Sequence, residues 1–226
     1  MKKVISFTLF GYEPKYYIGA EKNVDVNQTL LPDWETVIYY HPEMTRMDSV
    51  EKLSSMGATL IDVSNITIGN KGPKDFPFFW RFLSFLNNDI TIVRDLDSRV
   101  SDREVEYINR WLENGKDYFI IRDHPWHSPV PSGLYGIRGK KVEFENHFNS
   151  FVGNSDLRWG TDQEILHEYM KDIPLENVEY CGFDRPETYI PRVNKEFFIG
   201  MQLDENDNPT VPSGETCLKF LKELNL

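Results

Sequence analysis

Asp95-Leu96-Asp97 follows the short apolar run ITIV after a single residue, Arg94. In an extended chain, residues i and i+2 share a face with Cα atoms about 6.6 Å apart, so two carboxylates placed there can grip one hard divalent cation. Mg²⁺ takes one or two protein carboxylates plus substrate phosphates, and Mn²⁺ accepts the same oxygen-rich surroundings. A cation held in this way neutralises charge on a leaving diphosphate. The competing account is a solvated turn in which Asp95 and Asp97 pair with Arg94 and Arg99 ahead of a capped helix. Position at the end of a buried strand favours the metal.

Other groups are harder to assign from residue type alone. His124 and His127 have Pro125 between them and no cysteine or third histidine nearby, which argues against zinc. Arg81 lies among Phe79, Trp80 and Phe82 and must find an acceptor if it is buried. Walker A and G-x-G-x-x-G signatures are absent, and Gly133-Leu134-Tyr135-Gly136 lacks the spacing of a phosphate cradle.

The elements that must position these groups alternate. Residues 4–9 (VISFTL), 36–40 (TVIYY), 58–63 (ATLIDV), 90–93 (ITIV) and 118–121 read as strands. A helix is expected over 16–31, stopped by Pro32. Asp48-x-x-Glu51, Ser101-x-x-Glu104 and Thr161-x-x-Glu164 read as capping boxes, the first two for helices ending at Gly57 and near Gly115. The aromatic segment 76–86 is too long for a strand and reads as a buried helix. Residues 125–139, rich in Pro and Gly, read as a long functional loop, and 129–139 as a mobile lid. A late strand over 197–203 and a last helix carrying Leu218, Leu221 and Leu224 complete the pattern. Strand–helix alternation implies an α/β fold with a largely parallel sheet, whose ligands gather at the carboxyl ends of the strands.

Composition narrows the partners. The 226 residues carry 36 Asp+Glu against 25 Lys+Arg, a formal charge of −11, so a nucleic-acid polymer is not the expected partner. Hydrophobic residues at 40% suffice for a packed core. Two distant cysteines, Cys181 and Cys217, form no framework, and the expected location is a reducing cytoplasm. The apolar start reads as a strand rather than a signal peptide, and no window reaches the ~20 apolar residues of a membrane span. The chain also fits a module of a larger enzyme.

The chain resembles the GT-A type nucleotide-sugar glycosyltransferases, particularly a group of small ones from bacterial polysaccharide loci and large algal viruses. The resemblance is carried by KVISFTLFG at the start, Tyr17-x-x-Gly19-Ala20-x-x-Asn23, Pro32-x-Trp34 and Phe79-Trp80-Arg81-Phe82. It continues in IVRDLDSRVSDRE (92–104), RDHPWHSPVPSGLYGIRG (122–139) and Gly160-Thr161-Asp162-Gln163. It spans roughly residues 3–205 and implies one GT-A-like domain over 1–226, a mixed, mostly parallel sheet flanked by helices. Residues 1–100 would form the nucleotide-sugar and metal half, and 101–226 the acceptor half.

What the resemblance implies is a donor site in the first half. Phe10, Gly11 and Tyr17 would hold the nucleoside, and Arg81 would approach the diphosphate or base. Asp95 would face ribose or a metal-bound water, and Asp97 would bind Mn²⁺ or Mg²⁺ directly. The loop with Asp123, His124, Trp126 and His127 would lie beside the sugar. Asp162 is the leading general base, with Gln163 bonding sugar hydroxyls and Asp123 or His127 as alternative bases. Against that, Asp162 also suits the first turn of a helix for purely local electrostatic reasons. A further metal ligand, frequently His in this fold, has no clear counterpart; His147 and His167 are available.

The expected activity is metal-dependent transfer of a sugar from a nucleoside diphosphate, with UDP the expected nucleotide, to a hydroxyl of a growing polysaccharide. A metal-dependent nucleotidyltransferase or phosphohydrolase, and a silent sugar-nucleotide-binding domain, are the alternatives.

Overall fold

The apolar runs of the first half assemble in parallel. β1 (Lys3–Leu9) lies beside β2 (Glu35–Tyr40), which pairs with β3 (Thr59–Asp62); β4 (Ile90–Arg94) flanks β1 on its other side. The computed structural model describes residues 1–125, 127–191 and 197–210. The expected last helix, Trp126 and Cys217 lie outside them.

α1 (Pro14–Leu30) starts with proline in its first turn and stops short of Pro32. α2 (Met47–Ser55) is not capped as expected. Arg46 is its N-cap, while Asp48 lies inside the first turn and accepts from the Arg46 guanidinium and the Ser49 amide. Gly57, at φ +99°, ends that helix as the sequence suggested.

Residues 76–86 are helical but tighter than an α-helix: a 3-10 helix over Pro77–Leu83 runs into the short α3 (Ser84–Asn87). Besides its own hydrogen bonds, its backbone is stitched to β1. The Thr8 hydroxyl accepts the Arg81 amide at 2.9 Å, and the Ser6 hydroxyl donates to the Arg81 carbonyl at 2.8 Å. Such a long 3-10 stretch is uncommon and often marks a functional segment.

α4 (Asp102–Asn114) begins at Ser101, whose hydroxyl accepts the Glu104 amide, and ends at left-handed Gly115. Only half of the capping box forms. The Glu104 carboxylate turns inward to Arg94, 3.3 Å from Nε, with both side chains 1% exposed.

The region expected to be one long loop contains a strand. β5 (Tyr118–Arg122) is followed by β6 (Leu134–Arg138), which inserts antiparallel between β4 and β5. Residues 134–138 are therefore sheet interior, not part of a mobile lid. Glycines at 133, 136 and 139 disguised this five-residue strand. Gly136 is required there, because a Cβ would press on Trp111 at 3.1 Å and on the Thr91 carbonyl at 3.2 Å.

α5 (Val142–Asn154), α6 (Thr161–Met170) and β7 (Val178–Gly182) complete the described elements; α5 and β7 had no expectation attached. Residues 197–203 form turns, and Leu203 makes only a single bridge to Pro209, so the expected late strand is absent. The seven strands lie in the order β3-β2-β1-β4-β6-β5-β7, with only β6 reversed.

Alternate strand residues feed two cores. On one face, Val4, Val93 and Tyr135 pack with Phe79, Phe82, Phe144, Phe148 and Leu166. On the other, Ile5, Phe7 and Ile92 pack with Ala20, Val24, Leu53 and Trp111 from α1, α2 and α4. Each such buried side chain contributes about 1.5–3 kcal/mol. Among the described residues, no helix is long and apolar enough to cross a membrane.

Candidate functional site

The carboxyl ends of β1 and β4, the amino end of β6 and the start of α6 meet around a cleft of about 350 Å³. Seven of the ten site residues expected from the sequence line it: Phe10, Gly11, Arg81, Asp95, Asp97, Asp162 and Gln163.

Arg81 is the hub. Its side chain is 7% exposed; one guanidinium nitrogen binds Asp95, and the other reaches Asp162 at 2.9 Å and the Ser132 hydroxyl at 3.1 Å. The arginine thus joins carboxylates from β4's end and from α6. Asp97 takes Lys15 of α1 at 3.3 Å. The bland expectation for the acidic pair named the wrong cations: Arg94 belongs to Glu104, and Arg99 to Asp207.

The acidic turn is held from three sides. Asn23 Nδ2 donates to the carbonyls of Leu96 and Ser98, and Gly19 lets α1 approach so closely that an added Cβ would overlap the Leu96 carbonyl. These two residues of the first-helix pattern therefore act on the Asp95–Asp97 turn. From β6's side, Arg94 donates to the Gly133 carbonyl at 3.2 Å and to the Arg99 carbonyl at 3.1 Å. The Leu203 amide donates to the Asp97 carbonyl at 2.6 Å.

Burial raises the Asp97 carboxyl, and the neighbouring charge of Asp95 adds to it, against Lys15. Burial also raises Asp162, opposed by Arg81. The Asp95 side chain is 48% exposed toward the cleft. Asp95 and Asp97 both face the cleft, where a carboxylate pair could hold a hard cation together with substrate phosphates. Among the described residues, no cluster of three His, Cys, Asp or Glu is arranged to hold a metal. His147 faces the Ile165 carbonyl at 3.0 Å between α5 and α6, and neither it nor His167 reaches the cleft.

Three expected residues do other work. Tyr17 packs in the core, donates to the Gly11 carbonyl and accepts the Arg46 amide, so it shapes the loop after β1; Tyr16 lines the cleft instead. Asp123 is 1% exposed, paired with Arg103 and accepting the Ile199 amide at 2.8 Å, and does not line the cleft. His127 lies against Phe198, and burial, reinforced by His124, Arg122 and Arg94, lowers its pKa to about 3. Such an imidazole is neutral and a weak base. Among the described residues of the segment after β5, Ser132 lines the cleft, whereas Asp123 and His127 do not.

α6 also differs in detail. Gly160, at φ +90°, is its N-cap, while Thr161 closes the turn before it by bonding Arg158. Asp162 still occupies the first turn and points into the cleft. Ser132, Trp159 and Gln202, which carry no motif or spacing signal, also line it.

No protein-family model matches the sequence, and no curated protein matches it. Solved structures do. A glucosyl-3-phosphoglycerate synthase from Mycobacterium tuberculosis, in complex with Mn²⁺, UDP and glucosyl-3-phosphoglycerate, aligns with TM-score 0.51 at 10% identity, over 79% of this chain and 68% of that one. A second structure of that enzyme gives 0.52 over 87% and 73%, also at 10% identity. A 4-diphosphocytidyl-2C-methyl-D-erythritol synthase from Anaerococcus prevotii gives 0.50 at 8% identity, over 79% and 88%. The fold is GT-A-like. The GT-A-like sheet puts the cleft at the carboxyl ends of β1 and β4, beside the β6 reversal, where open α/β sheets bind ligands.

Proposed function

We propose that the chain is a metal-dependent glycosyltransferase that moves a sugar from a nucleoside diphosphate, UDP, to a hydroxyl of a glycan, as a step in polysaccharide assembly. The observation that carries the reading is Arg81, buried at the cleft centre between Asp95 and Asp162 and next to Asp97, on a GT-A-like sheet.

Phe10 and Gly11 form the wall that suits the nucleoside. Arg81 supplies the positive charge for the diphosphate once its carboxylate partners re-engage. Asp97 and Asp95 would hold Mn²⁺ or Mg²⁺, which when bound offsets charge on the leaving diphosphate. Asp162 accepts the proton of the acceptor hydroxyl, with its raised pKa keeping it basic enough for that step. Gln163, one residue on, bonds sugar hydroxyls.

Calorimetry of UDP with and without Mn²⁺ tests the site, and product analysis tests the reaction. Incubation with UDP-sugars should release UDP. Incubation with a nucleoside triphosphate and a sugar phosphate should give no nucleotide sugar. The reverse result would favour the nucleotidyltransferase reading, which the fold likeness to the diphosphocytidyl synthase keeps as the second choice.

A further inference from the structure

Part of the cleft wall is unused by the donor reading: Trp159, Gly160 and Gln202. The Trp159 side chain leaves the residue 80% exposed, in a protein whose other described large aromatics are mostly buried. Its backbone is not loose. The Arg158–Thr161 turn that presents it is closed by the Thr161 amide on the Arg158 carbonyl at 3.1 Å and by the Arg158 amide on the Thr161 hydroxyl at 2.8 Å. Thr161 itself is 2% exposed, so the turn is anchored in the core. An indole held out on a fixed turn, at the lip of a cleft, offers a flat apolar face and one N–H donor.

The charges of the same cleft define what that face can receive. Among the described residues, Glu13, Asp95, Asp97 and Asp162 line it against the guanidinium of Arg81, which is already shared between two of them. Lys15, at the margin, is engaged by Asp97. A divalent cation and a donor diphosphate offset one another, so the surplus of negative charge remains after the donor binds. A phosphorylated or carboxylated acceptor would meet like charge in a site of restricted solvent access.

We infer that Trp159 is the stacking platform of an acceptor subsite, and that the acceptor is an uncharged saccharide. Its apolar ring face lies on the indole, its hydroxyls meet the amides of Gln163 and Gln202, and the reacting hydroxyl points toward Asp162. This rests on the glycosyltransferase reading and adds the chemical class of the second substrate.

Fluorine NMR of the full chain labelled with fluorotryptophan tests it, with Trp159→Phe identifying the Trp159 resonance. The protein is first saturated with UDP and Mn²⁺, monitored by calorimetry. It is then titrated with methyl hexosides, methyl deoxyhexosides and their phosphate esters. The neutral glycosides should shift the Trp159 signal saturably, and the phosphate esters should bind at least about tenfold more weakly. Gln202→Ala should weaken the neutral ligands about tenfold while UDP still binds. If no neutral glycoside moves the resonance, or if the esters bind as tightly, the subsite assignment fails although UDP binding stands. If UDP itself does not bind, the glycosyltransferase reading fails first.

Discussion

The carboxylate of Asp95 occupies the space that a side chain at Gly133 would need. An ideal Cβ there would lie 2.6 Å from Asp95 Cγ and closer still to Oδ2. Gly133→Ala must therefore displace the carboxylate, the half-exposed end of a short side chain, rather than any backbone. We expect the variant to keep its melting temperature and to lose about tenfold or more in Mn²⁺-dependent UDP affinity by calorimetry. Gly19→Ala is the contrast. Its Cβ would fall 3.2 Å from the Leu96 carbonyl carbon and overlap the oxygen, so helix and turn must separate. Overpacking of this kind costs about 1–3 kcal/mol, readable as a lower urea midpoint. Equal stability losses in the two variants would contradict the distinction.

Asp97 exchanges stability for binding. Its folded pKa is raised, first by burial and then by Asp95. Its protonated form is thus favoured in the folded protein, and stability falls as pH rises from the ordinary aspartate value through that raised one. Lys15 returns part of this: against burial, which lowers it, Asp97's charge raises its pKa. Asp97→Asn should therefore raise the melting temperature at neutral pH by about 2–4 °C for each kcal/mol gained. The same protein should show no Mn²⁺-dependent UDP binding. A lower melting temperature would show that the Lys15 pair dominates.

Removing Arg81 has the opposite sign. Arg81→Ala leaves the buried Asp162 carboxylate without its cation and Ser132 without a donor, a loss of about 3–5 kcal/mol for a broken buried pair. In an Asp162→Asn background the same substitution should cost at least about 1 kcal/mol less, because the two residues are directly coupled. Chemical denaturation of the four proteins of the cycle measures this. Additive effects would mean that the contact carries no energy.

The pH dependence of transfer should report Asp162. A general base works only when deprotonated, and burial has raised its pKa. Activity should therefore rise with pH along an acidic limb lying above the ordinary aspartate range. Asp162→Asn should lower turnover by about 10²–10⁴-fold and remove that limb. His127, held at about 3, would instead give a limb near that value, and Asp162→Asn would then leave it in place.

The first half of the fold was readable because it obeys local rules. β1, β2, β3 and β4 are apolar runs bounded by turn residues, and the helices between them end at Pro32, Gly57 and Gly115. In the second half α4, β5 and α6 were readable, but other elements were not, because their cues are tertiary. β6 is five residues with a glycine at its centre, made a strand by partners on both sides. The Asp95, Asp97, Arg81 and Asp162 cluster followed from residue type and position. Asp123 misled because a carboxylate beside histidines looks catalytic until its Arg103 partner, twenty residues earlier, is seen. Trp159 had no sequence cue, since exposure of an aromatic cannot be read from its neighbours in the chain.

The reversal of β6 has an architectural corollary. Because β5 and β6 run in opposite directions, the segment 123–133 departs from and returns to the same rim of the sheet, the one that holds the cleft. A helical crossover would have to traverse a whole face of the sheet, whereas this hairpin-like connection stays at one rim and could change length between its fixed ends, Asp123 on α4 and Ser132 on Arg81. Diversification of such a scaffold would thus be concentrated in one span, leaving the acidic turn and its arginine in place.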